Sequence, residues 1–262
     1  MAVRLWGVLG GVVAALALSG CALENAHNQT STFLDAHAQA TPTLASFREC
    51  HGFACSSSST VSLTQQEWSK VVAVMRPPAK DAKAERRKIS IAVATMRMLV
   101  GAKTGTAVHQ WTHKDRDIIP NMSDPTQLDC IDESVNTWTY MTMMERGGLF
   151  RFHEVASLSN SGSLVTPRNT AVLKEKNGDY YAIDPSVVDA GVPPPVIPLQ
   201  SWMTEWPPDL SKSDTPKTKV NVGGARSASL ESGKTAEAKA TEAKTAEAKP
   251  AEVKPSQSAA LD

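Results

Sequence analysis

Cys130-Ile-Asp-Glu-Ser-Val-Asn-Thr-Trp-Thr-Tyr-Met-Thr-Met-Met-Glu-Arg146, then Gly147-Gly148, then Leu149-Phe-Arg-Phe-His-Glu-Val155, is the stretch on which the fold turns. Val135, Trp138 and Met141 share one helical face, and a Gly pair is a natural stop for a helix begun near Cys130. Beyond it the pattern changes to strand-forming residues. Leu149–Val155 predicts a strand. Thr170–Lys174 and Tyr180–Ile183 predict two more, and Asn177-Gly178 between them is a strong hairpin signal. Helices first and an antiparallel sheet after them give an α+β domain.

Upstream, Thr64-Gln-Gln-Glu67 is a capping box that opens a helix. Trp68, Val71, Val72 and Met75 follow at helical spacing, and Pro77-Pro78 stops them. A second helix is expected over about Ala82–Val100, with Ile89, Ala92, Val93, Met96 and Leu99 on one face and Gly101 as its C-terminal glycine. Downstream, Leu199, Trp202, Met203 and Trp206 predict a short closing helix. These apolar stripes read as core and imply no cofactor.

The 262 residues are 41% hydrophobic and 21% charged, with 27 Lys plus Arg against 27 Asp plus Glu. That suits one sizeable folded domain with polar extras. A net charge of +0 argues against nucleic acid as a partner, because phosphate binding needs a positive excess. Outside the N-terminus no apolar run is long enough to span a bilayer.

Met1–Cys21 reads as a secretory leader, with Arg4 as its charged start and Leu5–Leu18 as its apolar run. Residues 1–20 are the expected signal peptide. Leu18-Ser19-Gly20-Cys21 resembles the bacterial lipobox, which makes Cys21 the expected lipidation site of the mature chain. Ala22 in place of Asp resembles the lipoproteins sent to the outer membrane, on its periplasmic side. Acyl chains contribute about 0.8 kcal/mol per buried methylene, so several anchor a domain stably. Residues 21–44 read as a polar tether and 45–206 as the domain. Residues 207–262 hold no aromatic residue, and Lys239, Lys244, Lys249 and Lys254 recur with Glu237, Glu242, Glu247 and Glu252. Such a tail buries too little apolar area to offset its ordering entropy. It is either a solvated tail or a spacer reaching peptidoglycan or an envelope protein.

With Cys21 acylated, Cys50, Cys55 and Cys130 remain for an oxidising compartment. Cys50-His-Gly-Phe-Ala-Cys55 is suited to a small disulfide loop; a bridge from either cysteine to Cys130, or a buried inert thiol, are the alternatives. No second ligand pair accompanies it, so no metal is expected. The pair His109 and His113 likewise lacks the acidic partner of a zinc pattern.

Cys130 stands where a helix begins. Unpaired N–H groups and the positive dipole end there favour a thiolate, and the amides can serve a developing oxyanion. Asp129, Asp132 and Glu133 oppose it by their charge.

A Cys opening a helix, then Gly148-Leu-Phe-Arg-Phe-His-Glu-Val155, then a hairpin ending Tyr180-Tyr-Ala-Ile-Asp184-Pro185, resembles the transglutaminase-like superfamily. The order also resembles a group of poorly characterised proteobacterial lipoproteins. The resemblance covers about residues 50–206. It implies a papain-like core of helices on a small antiparallel sheet, and a Cys-His-Asp triad. Carried over, Cys130 matches the nucleophile and Asp184 the orienting acid, whereas Arg168 stands at the position expected for His. A guanidinium stays protonated and takes no proton from a thiol. His153, one strand away, is the substitute candidate. The implied function is a lipid-anchored envelope protein with a catalytically impaired transglutaminase-like domain. The alternative is an active cysteine hydrolase or acyltransferase working on amides through Cys130.

Overall fold

The computed structural model of the chain describes residues 34, 36–106, 124–162, 167–205, 209–215, 219–220 and 222. The leader with Cys21, the His109–His113 pair, Trp206 and the Lys/Glu repeats lie outside the described residues. All described residues belong to one compact unit, Met1–Val222. Its described residues are α+β, with four helices and two small antiparallel sheets as their main elements.

Helix α1 (Gln65–Met75) begins at the expected capping box, with Thr64 Oγ1 accepting from Glu67 N–H and the Glu67 carboxylate accepting from Thr64 N–H at 2.7 Å. It buries Trp68, Val71 and Met75. Helix α2 (Ala82–Thr104) starts at Asp81, whose carboxylate accepts from Ala84 N–H. It ends at Gly105, which takes the left-handed φ of 80° that a C-terminal glycine supplies. The sequence placed this end at Gly101. Instead Gly101 is a buried residue inside the helix, and the helical bond that closes it runs from Gly105 N–H to the Gly101 carbonyl.

Helix α3 (Cys130–Arg146) is the centre of the molecule. It lies between a two-stranded sheet, β1 (Phe47–His51) with β2 (Ser57–Val61), and a four-stranded sheet. Being covered on both sides, it is buried nearly all round, including Asp132, Glu133 and Asn136. The four-stranded sheet is a meander of β3 (His153–Gly162), β4 (Pro167–Glu175), β5 (Tyr180–Ile183) and β6 (Val196–Pro198). The Asn177-Gly178 pair sits in the β4–β5 turn, with Gly178 at φ 106°. The strand expected over Leu149–Val155 starts only at His153, because Arg151 and Phe152 give their N–H groups to the Glu85 carboxylate.

Side chains alternate across a strand. Ala171, Leu173, Ile183 and Val196 join the main core with α2 and α3. Ala182 and Ile197 face the other way and are covered by Trp202 of the closing helix α4 (Leu199–Thr204).

The packed chain extends past both ends of the domain read from the sequence. Leu34 is buried in the main core, and Ala38 and Leu44 pack against it. At the other end, residues 209–215 run along the open edge of β6. Ser213 Oγ and Thr215 Oγ1 accept from Val196 N–H, which satisfies a group that would otherwise offer a pairing edge. Asp214 holds this strap to α2 through Lys83 at 3.1 Å and Arg86 at 3.0 Å, while its carbonyl accepts from Arg87. Val222 packs on the main core, and its carbonyl accepts from Lys70. Among the described residues no helix is long and apolar enough to cross a membrane.

Candidate functional site

Cys130 is the first residue of α3. Asp129 caps that helix, its carboxylate accepting from Ile131 and Asp132 N–H, both at 2.9 Å, while the Asp132 carboxylate accepts from Asp129 N–H. This reciprocal cap fixes the first turn and therefore the direction of the Cys130 side chain. Cys130 is half-buried, and Asn169 of β4 donates its Nδ2–H to Sγ at 3.6 Å. Burial pushes the thiol up to about 11; the Asn169 bond opposes that, and the charges of Asp129 and Asp184 reinforce it. The helix N-terminus favours a thiolate, but desolvation and adjacent acids outweigh it. At neutral pH the group is a thiol.

Asp184 follows β5 and is buried. Its Oδ2 accepts from Trp202 Nε1 at 2.8 Å, and its Oδ1 from Ser186 N–H at 3.1 Å and Ser186 Oγ at 2.6 Å. Arg168 stacks over the Trp202 ring, 4.6 Å from its centroid. Its guanidinium donates to the Trp202 carbonyl at 2.9 Å and to Ser161 Oγ at 3.1 Å. Burial lowers its pKa, and the nearby charges of Asp184 and Cys130 oppose that. Cys130, Arg168 and Asp184 are thus gathered within electrostatic range, but their direct contacts differ from a triad. The β4 alternation explains why. Leu173 and Ala171 face the core and α3, so Asn169 does too, and Arg168 falls on the opposite face with Thr170 and Trp202. Counting back by twos from Leu173 finds Asn169 from sequence alone; aligning on a family position finds Arg168.

His153 is drawn into a separate buried cluster. Its Nδ1 is 2.7 Å from Glu85 Oε2, its Nε2 is 3.8 Å from Glu175 Oε2, and Arg86 links Glu175 to Asp214. The His153 ring stands edge-on to Tyr181. It is the Glu85 carboxylate, also binding two backbone N–H groups, that fixes this ring.

Cys50 and Cys55 form a disulfide, and the loop they close lies on the first turn of α3. Phe53 and Cys55 donate their N–H groups to the Asp132 carboxylate, at 3.2 and 2.7 Å, and Ala54 donates to Asp129 at 3.0 Å. Asp132 is pushed up to about 7, by burial first and by the Asp129 charge second. Deeper in, Arg97 of α2 pairs with Glu133 at 2.7 Å, and Tyr140 donates to the Glu49 carboxylate at 2.7 Å. Burial raises the pKa of both glutamates; Arg97 opposes this at Glu133, and the Tyr140 bond opposes it at Glu49. Among the described residues no group of three His, Cys, Asp or Glu side chains is arranged to hold a metal ion.

The chain matches no family model, no curated protein and no solved structure.

Proposed function

We propose that this chain is a lipid-anchored cell-envelope protein whose 45–206 region is a transglutaminase-like domain that binds and does not cleave. The observation that carries the reading is the pairing across β4. The Asn169 carboxamide, which takes no proton, bonds the Cys130 sulfur, and Arg168 lies on the opposite face of β4, bonded to the Trp202 carbonyl and Ser161. Helix-start Cys130 packed on an antiparallel meander, with Asp184 at the end of the third of its strands, supports the superfamily resemblance. A thiol raised to about 11 supports the loss of nucleophilic chemistry, because the thiolate is the reacting form.

The test is the rate of Cys130 alkylation against pH in the mature domain, with the protein's other cysteines followed separately by peptide mass. The wild-type midpoint is expected well above the free-thiol value of about 8.5. Asn169→His lowers it by about 1 unit or more, because an imidazole there can accept the proton. Arg168→His does not lower it, because position 168 faces Trp202 and the substitution removes a positive charge within electrostatic range of Cys130. A wild-type midpoint below about 8.5, with amide turnover abolished by Cys130→Ser, replaces this reading with the active cysteine hydrolase or acyltransferase.

The anchor is tested on its own. Labelled palmitate is incorporated by the wild type and not by Cys21→Ser, and the variant leaves the membrane fraction. Equal labelling of the two proteins removes the lipoprotein assignment.

A further inference from the structure

Gly52, Phe53, Ala54 and Cys55 follow one another with φ of 79°, 69°, 55° and 54°. The first is a glycine, and a Cβ there would also meet Ser56 Oγ, Ser57 Oγ and the Pro125 carbonyl at 3.3–3.4 Å. The next three carry side chains in the left-handed region, which costs roughly 1–2 kcal/mol per residue. A run of three holds only where the surroundings over-determine it.

Two kinds of tie do so here. One is covalent, the Cys50–Cys55 bond that closes the loop. The other is the carboxylates of Asp129 and Asp132, which accept the N–H groups of all three strained residues. The flanks are gripped as well. Cys50 N–H donates to Asn136 Oδ1 at 2.7 Å, its carbonyl accepts from Asn136 Nδ2 at 2.8 Å, and Gly52 N–H donates to the Gln127 carbonyl at 2.9 Å. The two aspartates are the cap and third residue of the helix whose first residue is Cys130. The loop therefore acts on the same turn that presents the thiol.

We infer that the Cys50–Cys55 disulfide is a redox-operated clamp on the first turn of α3, closed when oxidised and opened by a dithiol, with Cys130 becoming reactive on opening. The electron balance is that of thiol–disulfide exchange. A dithiol thiolate attacks the disulfide, the Cys50–Cys55 bond breaks, two S–H groups form, and the reductant leaves as its own disulfide. Cys55 is 9% exposed and Cys50 1%, so attack falls on Cys55. Once the covalent tie is gone, strain in 53–55 favours relaxation of the loop. Its amides then leave Asp129 and Asp132, the reciprocal cap loses its brace, and the first turn frays, carrying Cys130 out from the Asn169 and Asp184 walls and into water. Burial is the largest cause of the raised thiol, so leaving that enclosure restores reactivity, against a smaller opposing effect of the released carboxylate charges. This regulation belongs to the Cys130 site proposed above and takes its purpose from that reading.

The experiment uses the full mature chain. Iodoacetamide alkylation of Cys130 at pH 8 is read by peptide mass in the oxidised protein, and in Cys50→Ser/Cys55→Ser without reductant. The open variant is expected to react about tenfold faster or more, since each unit of thiol pKa is a factor of ten in thiolate. Amide exchange at 53–55 rises with it, while that of α2 stays slow. Equal Cys130 rates in the two proteins, with 53–55 exchanging freely, overturn the clamp. If the double variant does not fold, the wild-type chain is reduced with dithiothreitol, freed of it by desalting and alkylated at once. This opens the disulfide and changes no charge on the first turn of α3. Faster alkylation then supports the clamp and an unchanged rate overturns it. The ratio of open to closed rates tests the clamp, whereas the absolute midpoint in the oxidised chain tests the binding reading, so the two fail separately.

Discussion

Arg97→Met lowers stability at pH 7 by about 3–5 kcal/mol, as removal of one partner from a buried ion pair does. Arg97 is the cation set among the buried acids of the α3 interior. Its guanidinium bonds Glu133 at 2.7 Å with both side chains almost wholly enclosed, at 3% and 5% exposed, and donates to the Val188 carbonyl at 3.3 Å. Without it the Glu133 carboxylate is buried without its counter-charge, and Glu49 loses a favourable charge as well. Glu133 already has a folded pKa above its ordinary 4.5, raised by burial against the pull of Arg97. A group with a raised folded pKa contributes stability that is fully present below its unfolded value and lost as pH rises through the folded value. Removing Arg97 raises the folded value further. The loss is therefore largest at neutral pH and shrinks as pH falls towards 4.5, where Glu133 binds its proton in the folded form of both proteins. Urea midpoints of the two proteins, compared at pH 7 and pH 5, check the sign. A gap that is the same at both pH values contradicts the account. Arg97→Met with Glu133→Leu regains most of the loss, because the Glu133 carboxylate is then no longer buried without its counter-charge.

Much of this architecture was legible in the chain, and the illegible parts share a cause. Thr64-Gln-Gln-Glu67, Gly147-Gly148 and Asn177-Gly178 announce boundaries because each encodes a local backbone requirement, and all three stand at boundaries in the structure. The small sheet of β1 and β2 was not anticipated. Ser57-Ser-Ser-Thr60 has no apolar alternation, and its pairing partners come from the cysteine-containing strand across a tight loop. The burial of polar residues inside α3 was not anticipated either. Asp132, Glu133 and Asn136 are each buried against a specific partner from β1, α2 or the disulfide loop. Such partners lie far along the chain, so no window of sequence holds both. At the candidate site, Cys130 at a helix start was readable from Asp129 and the helical period. Its ionisation was not, since the enclosing walls come from β4 and the turn after β5. Asn169 was readable in principle from the phase set by Ala171 and Leu173, and Trp202 as a hydrogen-bond donor to Asp184 was not.

Trp202 carries the second large effect. It is fully enclosed and does three things: its Nε1–H donates to Asp184 Oδ2, its ring face receives Arg168, and it covers Ala182 and Ile197 on the outer side of the sheet. Trp202→Ala costs about 3–5 kcal/mol, the range for emptying a large aromatic site. Trp202→Phe keeps a ring for Arg168, and the backbone carbonyl that Arg168 also binds, but removes the donor. Losing a hydrogen bond to a charged group costs about 1.5–3 kcal/mol. Asp184→Asn changes the same bond from its other end. The two substitutions are therefore coupled, with an interaction energy of about 1–2 kcal/mol in a double-mutant cycle read by urea unfolding. Additive losses show that the Trp202–Asp184 bond has no weight. The cycle also bears on function. An acid that only orients a catalytic base can be replaced at a cost in rate with little cost in stability. An acid whose oxygens are spent on an indole and a serine cannot, and Asp184→Asn destabilises the domain by a similar amount in Cys130→Ala as in the wild type.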